Sequence, residues 1–252
     1  MEKELYDTAV DGNIFGLEYY LNQGADINTK NNCGLNLLMI NLIFGKDNEE
    51  YINYLLENGI DINYTCVTKQ NALHIATLKA DLKMVKFLLE SGIDINKTDE
   101  NGFNALMSSC KGCFLDFQDL FYYSKIQFND VEKSYLHMLL NNWCKYRKKE
   151  LYNNQYKIIE LLLKEGINKN QISVNGLNAM DLLINNVYIK DMKYIDLLIE
   201  NGIKPAKEYS KKFDLKEILF NESFSNFISI KNDHNIYLKK LKRIEGMSYE
   251  IK

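Results

Sequence analysis

Proline is nearly absent: Pro205 is the only one in 252 residues. Almost nothing in this chain breaks a helix from within, because proline is the residue that removes a helical hydrogen bond and clashes with the preceding turn. Cysteine is sparse and odd in number, with five scattered copies. That pattern excludes a disulfide-built fold and leaves a reducing, cytoplasmic setting as the expectation. No apolar run approaches the roughly 20 residues that span a bilayer. The charged start Met1-Glu2-Lys3-Glu4 does not read as a secretory leader. There is no phosphate-cradling glycine loop, no GxSxG and no HExxH, so the familiar catalytic motifs are missing. Hydrophobic residues at 46% and charged residues at 26% exclude a disordered chain.

What the sequence does have is a recurring phrase. Gly24-Ala-Asp-Ile-Asn28, Gly59-Ile-Asp-Ile-Asn63, Gly92-Ile-Asp-Ile-Asn96 and Gly166-Ile-Asn-Lys-Asn170 each follow a leucine-rich run, and Leu197-Leu-Ile-Glu-Asn-Gly202 begins a fifth copy. The first two intervals are 35 and 33 residues, whereas Gly92 to Gly166 is 74. Leu73 precedes Gly92 by 19 residues, and Leu106 precedes Lys125 by the same 19. This offset places a worn phrase at Lys125-Ile-Gln-Phe-Asn129 and predicts six units. Their ranges are near 1–33, 34–68, 69–101, 102–133, 134–175 and 176–203, followed by a helical cap over 204–252. The second helix of the fourth unit is then expected to end at Lys125, in the left-handed conformation that glycine takes elsewhere.

Each unit reads as helix, turn, helix and extended finger. Ala72, Leu73, Ile75 and Ala76 line one face of a short helix, and Met84, Val85, Leu88 and Leu89 line a longer one at three-to-four spacing. The phrase glycine sits where a helix ends in a left-handed cap. A polar finger such as Lys97-Thr-Asp-Glu-Asn-Gly102 follows. Neither helix can bury its apolar face alone, so units must stack.

The pattern from about Leu5 to Ile203 resembles the ankyrin repeat, whose Thr-Pro-Leu-His-x-Ala phrase Asn71-Ala-Leu-His-Ile-Ala76 matches in its Leu, His and final Ala. Asn stands in the threonine position at Asn36, Asn71, Asn104 and Asn178, and Leu or Ala replaces the proline. The resemblance implies an all-α solenoid that binds a partner macromolecule on a concave face and is not an enzyme, with no cofactor and no metal. It also implies the contact positions. Leu35, Gln70, Phe103 and Leu177 follow the finger glycine. Phe44, Lys79 and Asn185–Asn186 close the first helices. Asn32, Thr68, Asp99, Glu100 and Asn175 stand at the finger tips. Leu35, Phe44, Phe103 and Leu177 are large apolar residues expected in solvent, edged by acids. The same resemblance makes His74 and His137 ties between units.

Other candidates have simpler readings. Cys110-Lys-Gly-Cys113 has metal-like spacing but no second ligand pair, and Cys110 takes a small buried position. Phe114–Tyr123 is an apolar helix face. Lys145, Arg147, Lys148 and Lys149 form a basic cluster at a helix end, and Lys239–Arg243 a second one. Charge is unevenly spread: the first 103 residues carry 8 basic against 16 acidic side chains, and residues 204–252 carry 11 against 7. The acidic front suits a basic protein partner. The expected function is a monomeric module that recruits, sequesters or neutralises another protein. An immunity or anti-defence role against a nuclease-like toxin fits that charge, and a host-directed effector scaffold remains open beside it. The alternative is a solenoid that binds nucleic acid through its basic clusters.

Overall fold

The computed structural model describes residues 2–45, 49–111, 150–186, 189, 191–207 and 239–244. Among them the regular structure is helical, apart from one isolated antiparallel bridge between Lys30 and Asn36. The helices are α1 (Glu2–Asp11), α2 (Ile14–Asn22), α3 (Leu37–Phe44), α4 (Glu49–Glu57), α5 (Ala72–Leu78), α6 (Leu82–Glu90) and α7 (Ala105–Lys111). They continue as α8 over 150–164, α9 (Ala179–Asn185) and α10 (Lys193–Glu200), and residues 239–244 are also helical. The all-α stack of helix pairs expected from the phrase is what forms.

The repeated asparagine ties the start of each helix pair to the phrase that closes it. An asparagine carries an acceptor and a donor on one short side chain, and here each atom does a separate job. Asn36 Oδ1 accepts from Met39 N–H, Asn71 from His74, Asn104 from Met107 and Asn178 from Asp181, at 3.0–3.1 Å. Those bonds cap the first helix of each unit. The Nδ2 of the same four residues donates to a carbonyl of the phrase that closes the same helix pair: Asp61 at 3.5 Å, Asp94 at 3.4 Å, Asn168 at 2.9 Å and Lys204 at 2.7 Å.

First helices then stack in series, α1 on α3, α3 on α5, α5 on α7 and α7 on α9. One continuous core runs from Leu5 through Leu106, Ile158 and Leu183 to Leu241. The C-terminal ends of first helices are closed by polar side chains of the following unit. Asn186 Nδ2 donates to the carbonyls of Cys110 (3.1 Å) and Lys111 (2.8 Å). Residues 239–244 occupy the equivalent place on the last helix pair. Lys240 Nζ, wholly buried, donates to the Leu183 and Asn186 carbonyls at 2.6 Å each, and Arg243 pairs with Asp196 on α10 at 2.6 Å. Burial lowers the Lys240 ammonium to about 7, because the charged form has lost water.

Several expectations fall on residues outside the described ones: the boundary near 133, Lys125 as a left-handed helix end, His137, Cys113 and the Phe114–Tyr123 helix. Cys110 itself is fully buried on α7, and its thiol is pushed up to about 12 by burial. That places it among structural cysteines rather than reactive ones. Among the described residues, no helix is long and apolar enough to cross a membrane.

Candidate functional site

Between successive units the chain makes the same five-residue turn four times. The N–H of Asn31, Cys66, Asp99 and Ser173 donates to the carbonyl of Leu35, Gln70, Phe103 and Leu177, at 2.8–3.0 Å. Each turn is closed a second time by the fourth residue, whose N–H returns to the first residue's carbonyl: Gly34, Lys69, Gly102 and Gly176. All four take positive φ, between 59° and 78°. Lys69 is the lysine that fills a glycine register, at a cost of about 1 kcal/mol.

Adjacent tips are fastened to one another. Glu100 N–H donates to Thr68 O at 3.0 Å, and Val174 N–H to Asn101 O at 2.9 Å. A side chain at Gly102 would press on Ser173 Cα and Val174 N at 3.3 Å, so the third and fourth fingers approach as closely as glycine permits. This backbone zipper holds Val67, Glu100 and Val174 in one row, and Asn32 takes the same second position in the first finger, whose Gly34 lies against Val67. All four are exposed, and the two valines are 63% and 70% open to solvent. Ile172 beside them is also exposed.

The sequence-derived contact positions divide against this row. Glu100 and Asn175 are exposed as expected, at the tips. Leu35, expected in solvent, is instead buried in the core, and Phe44, Phe103 and Leu177 are half-buried against it. Their apolar area is spent on stacking neighbouring units. Asp99 is not an acidic tip: it is buried, and its Oδ1 accepts from Asn101 N–H and Phe103 N–H, both at 2.8 Å. A carboxylate at the first position of a turn can satisfy two backbone donors that would otherwise be orphaned. Gln70 is half-buried. Lys79, also half-buried, sends Nζ to the Leu42 carbonyl at 2.6 Å and so closes the end of α3. Val67 and Val174 were missed because β-branched residues in a finger look like hairpin core. The available signal was the glycine register, since each lies two residues before Lys69 or Gly176.

His74 behaves as the resemblance implied. It is buried on α5, its Nδ1 accepts from Asn71 N–H at 3.3 Å, and its Nε2–H donates to Phe103 O of the next finger at 2.9 Å. Burial holds its pKa below the usual 6.5, partly offset by the Phe103 bond and the charge of Asp99. Of the basic clusters, Lys145, Arg147, Lys148 and Lys149 lie outside the described residues. In the second cluster, Lys240 and Arg243 are committed to internal partners. Among the described residues the free cysteines Cys33, Cys66 and Cys110 are all buried.

Residues 5–99 match a family model described as ankyrin repeats, three copies. No curated protein matches the chain.

Proposed function

The chain is an ankyrin-repeat protein, and on that premise we propose that it holds a basic partner protein along its row of finger tips. Ankyrin repeats are in general protein–protein interaction modules, and nothing positive points to enzyme activity. The observation that carries the reading is the row itself: Asn32, Val67, Glu100 and Val174, one side chain per finger, presented by backbone bonds rather than by flexible loops. Two rigid, exposed valines beside an acid have the composition of a small interface, an apolar centre with a polar rim. Preorganisation lowers the entropy a partner must overcome on docking.

The partner's charge follows from the acidic excess in the first 103 residues, which would steer a basic protein and weaken with salt. Such a module recruits, sequesters or neutralises its partner by occupying it. The reading is tested with a photo-crosslinking residue at Val67, at Val174 and, as the control, at Glu90 on the exposed side of α6. Adducts of one basic protein from the two finger positions, and none from Glu90, are expected. Adducts with nucleic acid, or with protein only at Glu90, would overturn it.

A further inference from the structure

The stretch from Gly92 to Gly166 is about twice the length of a repeat, yet its two ends behave as immediate neighbours. Asp61 N–H donates to Asn28 Oδ1 at 3.0 Å, Asp94 N–H to Asn63 Oδ1 at 2.7 Å, and Asn168 N–H to Asn96 Oδ1 at 2.6 Å. These are three rungs of one ladder, each linking a phrase to the next, and the third rung crosses 72 residues of chain. The capping asparagine repeats the point, because Asn104 Nδ2 reaches Asn168 O as Asn71 Nδ2 reaches Asp94 O. So do the tips, where Val174 N–H meets Asn101 O as Glu100 N–H meets Thr68 O. Helix α7 packs on α9 directly. Gln155 on α8 donates to the Ser109 carbonyl of α7, as expected for two helices of a single pair.

We propose that residues 92–178 contain one interrupted repeat, with 112–149 spliced between its two helices α7 and α8, and no further unit stacked between Asn96 and Asn168. In the undisturbed third unit only Lys79-Ala-Asp81 separates the corresponding helices α5 and α6. The splice enters at the turn that joins a helix pair, which is the one connection of a repeat that neither finger nor ladder uses. The recognition edge is therefore a single unbroken row of four fingers, 31–35, 66–70, 99–103 and 173–177. In that row finger 99–103 is followed directly by 173–177, because Val174 N–H meets Asn101 O. This inference stands apart from partner binding, since the row is continuous whether or not anything docks there.

Distance measurement by double electron–electron resonance decides it. Spin labels are attached through a bio-orthogonal amino acid, leaving the native cysteines untouched, at exposed residues two positions before a phrase glycine. Labels at Asn22 and Glu90 span two repeat spacings and serve as the reference. Labels at Glu57 and Lys164 should give the same separation, as should labels at Glu90 and Glu200. A 57–164 separation roughly half as long again as the reference would mean three spacings, and would overturn the proposal in favour of a sixth stacked unit. Because 90–200 reports the same question from the other side, one poorly labelled variant leaves the answer intact.

Discussion

Helices α5 and α9 begin with the same device and are answered by neighbours of opposite polarity. Asn71 and His74 form a reciprocal cap at the start of α5, and Asn178 and Asp181 form one at the start of α9. In the first, the adjoining finger offers a carbonyl, Phe103 O, and the third helical residue meets it with an imidazole N–H. In the second, the adjoining chain offers donors, Ala206 N–H at 3.1 Å and Lys207 N–H at 3.3 Å, and Asp181 meets them with both carboxylate oxygens. At α5 the stack continues into another finger and the tie donates, whereas at α9 the chain leaves the array and the tie accepts; α3 and α7 carry Met39 and Met107 at this position, which can do neither. At α5 and α9 the residue type thus matches the polarity of what stands next to it.

Exchanging the two residues breaks this relation most severely. His74→Asp would set a carboxylate against the Phe103 carbonyl in a buried site, and should cost about 3 kcal/mol of stability in urea denaturation. His74→Ala removes the donor without the repulsion and should cost less. If the two variants were equally stable, the polarity argument would be wrong. Asp181→Ala comes next, at about 2 kcal/mol, because it strands three backbone N–H groups at once; the matching loss of hydrogen-exchange protection should centre on Asn178, Ala206 and Lys207.

A smaller effect is pH-dependent and confined to the α5 side. The folded state holds His74 below 6.5, so the unfolded chain binds more protons as the solution is acidified. The contribution of His74 is fully present above pH 6.5 and is lost as pH falls below it. Protonation would put an N–H on Nδ1, exchanging the bond from Asn71 N–H for one to Asn71 Oδ1 at 2.6 Å, so the loss comes from burying the charge. Thermal midpoints measured between pH 7.5 and pH 5 should therefore fall in the native protein, and fall less steeply in His74→Gln. An unchanged slope would assign the acid loss to other groups.

The smallest expected effect compares fingers rather than helices. Lys69 has φ 59° where Gly34, Gly102 and Gly176 have 70°, 78° and 73°. Lys69→Gly should raise stability by about 0.5–1 kcal/mol, the left-handed strain relieved less the added freedom of the unfolded chain. The same substitution at Lys97, which lies outside the tip turn, should give no gain.

Much of this was legible in the residues. The phrase glycines, the apolar faces of Ala72–Ala76 and Met84–Leu89, and the asparagine at a fixed place all follow from local chemistry: helix periodicity, a left-handed cap, a side chain able to cap. Asp99 was misjudged as an exposed acid because its charge is visible in the sequence, while the two N–H groups converging on its Oδ1 exist only once the turn has closed. Leu35 and Phe103 were misjudged for a related reason. A residue after a finger glycine is exposed on an isolated unit, and only the neighbouring unit covers it.

The 74 residues between Gly92 and Gly166 show the same limit on a larger scale. Spacing along a chain counts residues, and it cannot report which phrases touch. By itself the sequence determined the repeated unit, its two helices, its finger and the asparagine that begins each pair, because each depends on residues within one turn or one helix of each other. The tertiary structure alone decided which unit meets which, which apolar side chains face solvent, and whether a tie between units donates or accepts. Those outcomes depend on the polarity and surface of a neighbour that lies as far as 72 residues away along the chain, at 2.6 Å in space.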